Sequence, residues 1–526
     1  MAVGSRALRV ALLGLVLTGL PPLTALAQHS VVDVYLDRPI SLYDPAIFTG
    51  PQGQALAGFL PRYLEQPMDD LTPRPGALGA GMGGAHVALA EGPMSLGWNP
   101  AGLGLMTRGA ISLDGLVRSS KGTGTNLPDT VVVRGLGGFQ PQTYTEDLTA
   151  GRAFEFFGGA APLVRLGSRP LVGGIAFRRH TDISFGQATL LEMRLFGSSS
   201  TGFPFVLGLD NKERGSIQAL TLGLGYEALR LPGGSLSLGG TANFLTGRLR
   251  SDVQVRAAVR NFTEGRVTFQ RDYKGFTVEG GALATAMEGR VRVGGWVGLP
   301  NRIETSNSSF TGLRLGLPDD TEIDRVHGTI ADYDLELPLL VSFGAAVGPF
   351  RGLQLAADVN VRPWSKMKVK HGDPAFQQFD ADKIASDVTS YHVGGRFEFP
   401  ILRRRLHSIG MRLDTLVGYR TLPLSQRERS LLNGQAPFFT GDQIEGSATD
   451  FGFTLATGTE VTLQFGVELQ SYEFSNWFLE DQRDLTRDPH SGDPIHRELG
   501  FSDPFKEITR IKQRNTLFRI SAEMAL

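Results

Sequence analysis

The chain has 526 residues, with 52 lysines and arginines against 53 aspartates and glutamates and a formal net charge of -1. That balance argues against a dedicated nucleic-acid binder, which carries a basic excess. The absence of cysteine removes disulfides, thiolate zinc sites, iron–sulfur clusters and cysteine nucleophiles together.

Mean hydropathy is -0.07, and only the N-terminus has an apolar run approaching membrane-helix length, so a polytopic helical membrane protein is excluded. Glycine stands out at 67 residues, nearly twice the usual ~7%. Without a collagen period, this suits an all-β chain with many turns and tightly packed strands.

In chain order, residues 1–27 read as an export signal. Arg6 and Arg9 give a positive start, Val10 to Leu20 a short apolar core, and Ala25-Leu26-Ala27 a cleavage site. Residues 28–108 are rich in proline and glycine and lack strand alternation. From about residue 109 to the end, period-two alternation repeats. Leu353, Leu355, Ala357, Val359 and Val361 alternate with Gln354, Ala356, Asp358 and Asn360. Val461 to Gln470 and Ile409 to Arg420 do the same, as does Leu335, Leu337, Leu339, Val341, Phe343, Ala345 against Glu336, Ser342 and Gly344.

Nine to eleven residues with one apolar face match the length a tilted strand needs to cross a bilayer. About fourteen such strands are expected, an even number as in bacterial single-chain barrels. Short links such as Leu231-Pro232-Gly233-Gly234 alternate with long polar stretches near 119–151, 180–215, 251–274, 304–330, 369–388, 423–447 and 475–513. Short periplasmic turns and long extracellular loops are the wiring of an outer-membrane barrel, with both termini periplasmic. The reading is therefore all-β: a transmembrane antiparallel β-barrel over 109–526, preceded by an extension and plug over 28–108.

Two features suggest ligand contacts. The 180–215 stretch is unusually apolar, with Phe185, Leu191, Phe196, Phe203 and Phe205. It reads either as an entry groove for acyl chains or as a lid packed on its own loops. Arg290, Arg292, Arg362, Arg396 and Arg412 fall on polar strand faces, where a guanidinium pairs bidentately with a carboxylate. Asp358, Glu398, Asp414 and Glu468 are their competing partners.

The segment before the first strand carries Gly81-Met82-Gly83-Gly84-Ala85-His86-Val87-Ala88-Leu89-Ala90 and then Trp98-Asn99-Pro100-Ala101-Gly102-Leu103. This resembles the N-terminal hatch of the FadL/TodX-type outer-membrane transporters of long-chain fatty acids and other hydrophobic compounds. The resemblance covers about residues 76–526. It implies a fourteen-strand barrel and passive, hatch-gated uptake, with Gly83, Gly84, Asn99, Pro100, Ala101 and Gly102 as hatch residues. It also implies a bilayer and lipopolysaccharide as surroundings. PorV-like secretion barrels share the hatch signature, so a barrel that binds partner proteins and transports no lipid is the alternative. Locally, Gly83 and Gly84 would let a short helix from Ala85 to Ala90 lie against the wall, and Asn99-Pro100 would fix a turn.

Gly79-Ala80-Gly81-Met82-Gly83-Gly84 satisfies G-x-G-x-x-G, but no strand precedes it. The nine histidines lack metal-ligand spacing, and there is no G-x-S-x-G or Walker sequence. No enzyme activity, cofactor, metal or nucleic-acid partner is expected.

Overall fold

A computed structural model describes residues 74–526 apart from 127–130, 134–136, 140–143, 183–184, 196–202, 259–262, 317–320, 330–331, 351, 372–385, 399–405, 407–409, 425–426, 433–438, 458–459 and 480–504. The export signal and residues 28–73 lie outside the described residues.

Fourteen antiparallel strands form one closed barrel. They are β1 (Ala110–Asn126), β2 (Tyr144–Leu166), β3 (Arg169–Asp182), β4 (Phe203–Leu231), β5 (Gly234–Ala258) and β6 (Thr263–Ala286). Then come β7 (Val291–Gly298, continued as Asn301–Gly316), β8 (Tyr333–Leu337, then Leu340–Phe350), β9 (Leu353–Arg362) and β10 (Val388–Phe397). The last four are β11 (Met411–Thr421), β12 (Glu445–Thr457), β13 (Val461–Leu479) and β14 (Phe505–Ala525). Closure is complete, because β14 pairs with β1 from Ala110↔Ala525 to Asn126↔Thr509. A closed sheet leaves no edge, so every ladder group is satisfied within the wall, as a hydrocarbon environment requires. Among the described residues no helix is long and apolar enough to cross a membrane; the crossing elements are the strands.

The alternation sorts the wall into two faces. On β9, Leu355 and Val361 are exposed outward while Asp358, Asn360 and Arg362 are buried inward. Phe154, Phe177, Leu222, Phe244, Phe276, Phe343, Tyr391, Val417, Tyr419 and Phe451 continue the exposed apolar belt, the surface a bilayer covers.

Two sequence expectations are corrected. The stretches at 119–151, 180–215, 251–274 and 304–330, expected as loops, are largely strand among their described residues, and both described ends of 475–513 are strand as well. β4 runs 29 residues, β5 25 and β6 24, against the ~9–11 that cross a bilayer. Beyond the membrane the outward face turns polar, which erases the alternation, yet the backbone ladder continues. The second correction concerns β8. Leu335 and Leu337 do not share the outward face of Leu339 and Phe343; they are buried inside. Pro338 and Leu339 interrupt the strand, and this break shifts the side-chain phase by one.

Candidate functional site

Residues 74–108 lie inside the barrel. They form a short helix, α1 (Ala77–Gly81), and two 3₁₀ turns, Pro93–Gly97 and Pro100–Leu105. The expected helix over Ala85–Ala90 is absent; that stretch is a turn, with Leu89 N–H donating to His86 O at 3.0 Å. The helix precedes the two glycines instead of following them. Gly83 and Gly84 have φ of +67° and +76°, the left-handed region that glycine enters without strain. They end α1, with Gly84 N–H returning to Gly79 O at 2.8 Å.

Asn99 is the knot of the segment. Its Oδ1 accepts from Ala101 N–H at 3.2 Å, capping the second 3₁₀ turn, and Pro100 fills the first position, where no donor is needed. Its Nδ2 donates to Val87 O at 3.0 Å and to Ala282 O of β6 at 3.1 Å.

Part of the excess glycine lies on the wall that receives this segment. Cross-strand glycine pairs recur around the barrel: Gly174↔Gly223, Gly239↔Gly281, Gly294↔Gly344, Gly394↔Gly418 and Gly452↔Gly466. A β-carbon at Gly239 would land on Pro100, at Gly281 on Asn99, at Gly394 on Met82, and at Gly418 on the Met82–Gly83 peptide. At Gly239, Gly394 and Gly418 backbone thus packs on backbone, and at Gly281 the Asn99 side chain takes the space, the close approach only glycine allows. Within the segment, Gly102 has the same role against Ala90 O.

Polar wall residues fix the remaining contacts. Asp358 Oδ2 accepts from His86 N–H (2.7 Å) and Val87 N–H (2.8 Å). His392 Nδ1 donates to Gly83 O at 2.7 Å. That tautomer leaves Nε2 to accept from Asn360 Nδ2 (2.7 Å) and Ser390 Oγ (2.9 Å).

Above this floor lies a cavity of about 70 Å³, walled by β1, β9, β10, β11, β13 and β14. Five guanidiniums line it, those of Arg74, Arg118, Arg362, Arg420 and Arg519, with Glu468 as the carboxylate. Arg74 of the inner segment and Arg362 of β9 converge on one hydroxyl, Ser342 Oγ, at 3.0 and 3.2 Å. Both stack on the indole of Trp296, each with its central carbon 5.3 Å from the ring centre. Two cations over one neutral oxygen is a geometry that a bridging anion fits.

Of the five arginines singled out from the sequence, Arg362 alone lines this cavity. Arg396 and Arg412 both pair with Asp414, Arg292 pairs with Glu91, and Arg290 lies in the β6–β7 turn. Arg420 pairs with Glu468, and Arg519 reaches Asp114 at 3.2 Å. Arg420 and Arg519 were within reach of the alternation pattern, since each sits on the polar face of its strand. Arg74, in a proline-rich stretch, gave no periodic signal.

Part of the inner wall is apolar. Ile217, Leu245, Leu249, Tyr273, Ile303, Leu335, Leu337, Trp364, Met367 and Val388, from β4 to β10, form one buried cluster. An aqueous pore has a polar lumen; here an apolar band shares the inner face with buried polar residues such as Arg178, Asn243, Arg271 and Glu279. Sequence alternation missed the band because its side chains break the polar-in rule. In the 180–215 stretch, Phe185 and Leu191 lie on a strand, Phe185–Leu195, that pairs with β4, where Phe203 and Phe205 sit. Phe196 lies outside the described residues.

No family model matches the sequence, and no curated protein matches it. Solved structures do match. A FadL homologue from Pseudomonas aeruginosa aligns with a TM-score of 0.52 and 13% identity, over 87% of this chain and 99% of that one. The toluene transporter TodX of Pseudomonas putida gives 0.47 and 12%, over 86% and 98%. The toluene transporter TbuX of Ralstonia pickettii gives 0.45 and 13%, over 86% and 98%. The first of these shows a shared fold, the FadL-type barrel.

Proposed function

We propose that this chain, a closed barrel of the FadL-type fold, is an outer-membrane channel for passive uptake of hydrophobic compounds, with long-chain fatty acids as its main cargo. The observation that carries this reading is the meeting of Arg74 and Arg362 on Ser342 in a barrel whose inner wall is partly apolar. An amphipathic acid needs those two surfaces together: donors for its carboxylate and a dry face for its chain. The cavity of about 70 Å³ is smaller than the ~300–1,000 Å³ typical of whole-ligand sites. It accommodates a head group, with the chain running along the apolar cluster.

In this reading residues 74–108 are the hatch, the long-loop end is extracellular, and residues 1–27 are removed on export. Phospholipid and lipopolysaccharide surround the barrel. A small-molecule cargo also accounts for the apolar cluster inside the barrel, for which a purely secretion-associated barrel has no use. The test is uptake of labelled oleate by a transporter-deficient host expressing the chain. Uptake at the level of the empty host, from a barrel verified as folded, would remove the proposal.

A further inference from the structure

The outer wall carries a feature that uptake does not use. On β5 to β8 and the following strand Lys368–His371, outward side chains form two cross-strand rows at the long-loop border of the apolar belt. The first reads Phe244, Phe276, Arg302, Glu336, Lys368; the second reads Thr246, Lys274, Glu304, Asp334, Lys370. Phe244 and Phe276 are about half exposed, with ring centres 5.3 Å apart, and mark acyl-chain depth. The charges begin directly beside them, which is head-group depth in a bilayer.

Cations are in excess. The two rows hold four bases and three carboxylates: Arg302 pairs with Asp334 and Lys370 with Glu336, Lys274 and Lys368 stand against Glu304, and Lys366 just beyond the rows adds a fifth base, with Asp387 near it accepting from Ser365 N–H at 2.9 Å. Lys366, Lys368 and Lys370 are all exposed, whereas Met367 between the first two is buried in the lumen. Two ammonium groups therefore point outward from this short strand, and a third, Lys366, is exposed on the 3₁₀ turn Trp364–Lys366 that precedes it. At the same border on β10 and β11 the outward residues are Thr389 and Thr421, preceded by the exposed carboxylate of Asp387, and a second set of exposed bases, Lys121, Lys512 and Arg514, lies across the β1–β14 seam.

We infer that the surface around Lys366, Lys368 and Lys370 holds the phosphate groups of the outer-leaflet glycolipid, with its acyl chains lying along Phe244 and Phe276. The ammonium row supplies charge-assisted donors to phosphate oxygens, and the adjoining phenyl pair continues the surface into the chain region. This rests on the outer-membrane placement proposed above.

The test uses purified full-length chain and native mass spectrometry, titrating bis-phosphorylated lipid A, its dephosphorylated form, inorganic phosphate and oleate. Wild type is expected to bind the bis-phosphorylated lipid at least tenfold more tightly than the dephosphorylated one. Combined Lys366→Gln, Lys368→Gln and Lys370→Gln should abolish that preference, and Lys→Arg at the same three sites should retain it. Oleate binding should be unchanged throughout, since these side chains face away from the lumen. Should the triple variant fail to fold, as judged by heat-modifiable gel migration, Lys368→Gln alone is expected to weaken the preference. No preference in wild type, a preference surviving in the glutamine variants, or displacement by equimolar inorganic phosphate would overturn the inference. Loss of oleate binding with the phosphate preference intact would instead count against the uptake proposal.

Discussion

At the scale of single residues, the arginines differ in where the fold places them. Arg396 and Arg412 share Asp414, whereas Arg362 lines the cavity beside Arg74. Arg362→Ala removes a charge-assisted contact worth about 1.5–3 kcal/mol. Oleate affinity should then fall about tenfold or more, while methyl oleate binds as before; calorimetric titration of both ligands measures the difference. Arg396→Ala should leave both affinities within twofold. Because Arg74 and Arg362 share Ser342, the double variant should lose less than the sum of the two single losses. Arg362 was legible because Asn360 and Asp358 put it on the polar face of a clean alternation. Arg74 was not, since no period runs through its stretch and its role exists only after the chain has folded inward.

At the scale of elements, adjacent glycines of β10 provide a sharp contrast. A β-carbon at Gly394 would collide with the Met82 carbonyl, while one at Gly395 meets only ordinary contacts, the nearest Leu355 Cδ2 at 3.5 Å. Gly394→Ala should therefore lift the inner segment locally, at a cost of about 1–3 kcal/mol for overpacking. In planar bilayers it should raise single-channel conductance; Gly395→Ala should match wild type. Asn99→Ala removes three hydrogen bonds, each worth about 1 kcal/mol, and should likewise increase leak. Pro100→Ala, at a position whose N–H needs no partner, should change transport rate less than Asn99→Ala does. The strand periods were readable, but α1 was misplaced after the glycines because local propensity does not register the wall. Nor did propensity reveal that the glycines of the wall serve the segment, since each pair forms only once distant strands meet.

For the whole molecule, the strand count followed from alternation alone, and the closed sheet of fourteen confirms it. The strand lengths did not, because a ladder that leaves the bilayer keeps its hydrogen bonds while its outward side chains cease to be apolar. The folded protein should show β-type circular dichroism and heat-modifiable migration on gels. Limited proteolysis of the inserted protein should leave a core containing the long strands β4, β5 and β6, extending well past the lipid-facing belt. Cleavage within those extensions at the rate of unstructured loops would contradict the continuous ladder.

The start of α1 is held at the junction where the two ends of the barrel meet. Gly76 N–H donates to Asp114 of β1 at 3.0 Å, Ala77 N–H to Ser521 of β14 at 2.6 Å, and Leu78 N–H to Gln464 of β13 at 3.2 Å. Arg519 of β14 donates to Arg74 O at 3.0 Å. The N–H groups of Gly76, Ala77 and Leu78 are the otherwise orphaned donors at a helix's start, and their acceptors come together only when the last strand has zipped onto the first. A one-residue slip of β14 would turn Ser521 and Arg519 to the lipid side and leave the helix nothing to dock on. Seating of the inner segment thus reports that the seam has closed in register, so a misassembled barrel stays unstoppered and betrays itself by leaking.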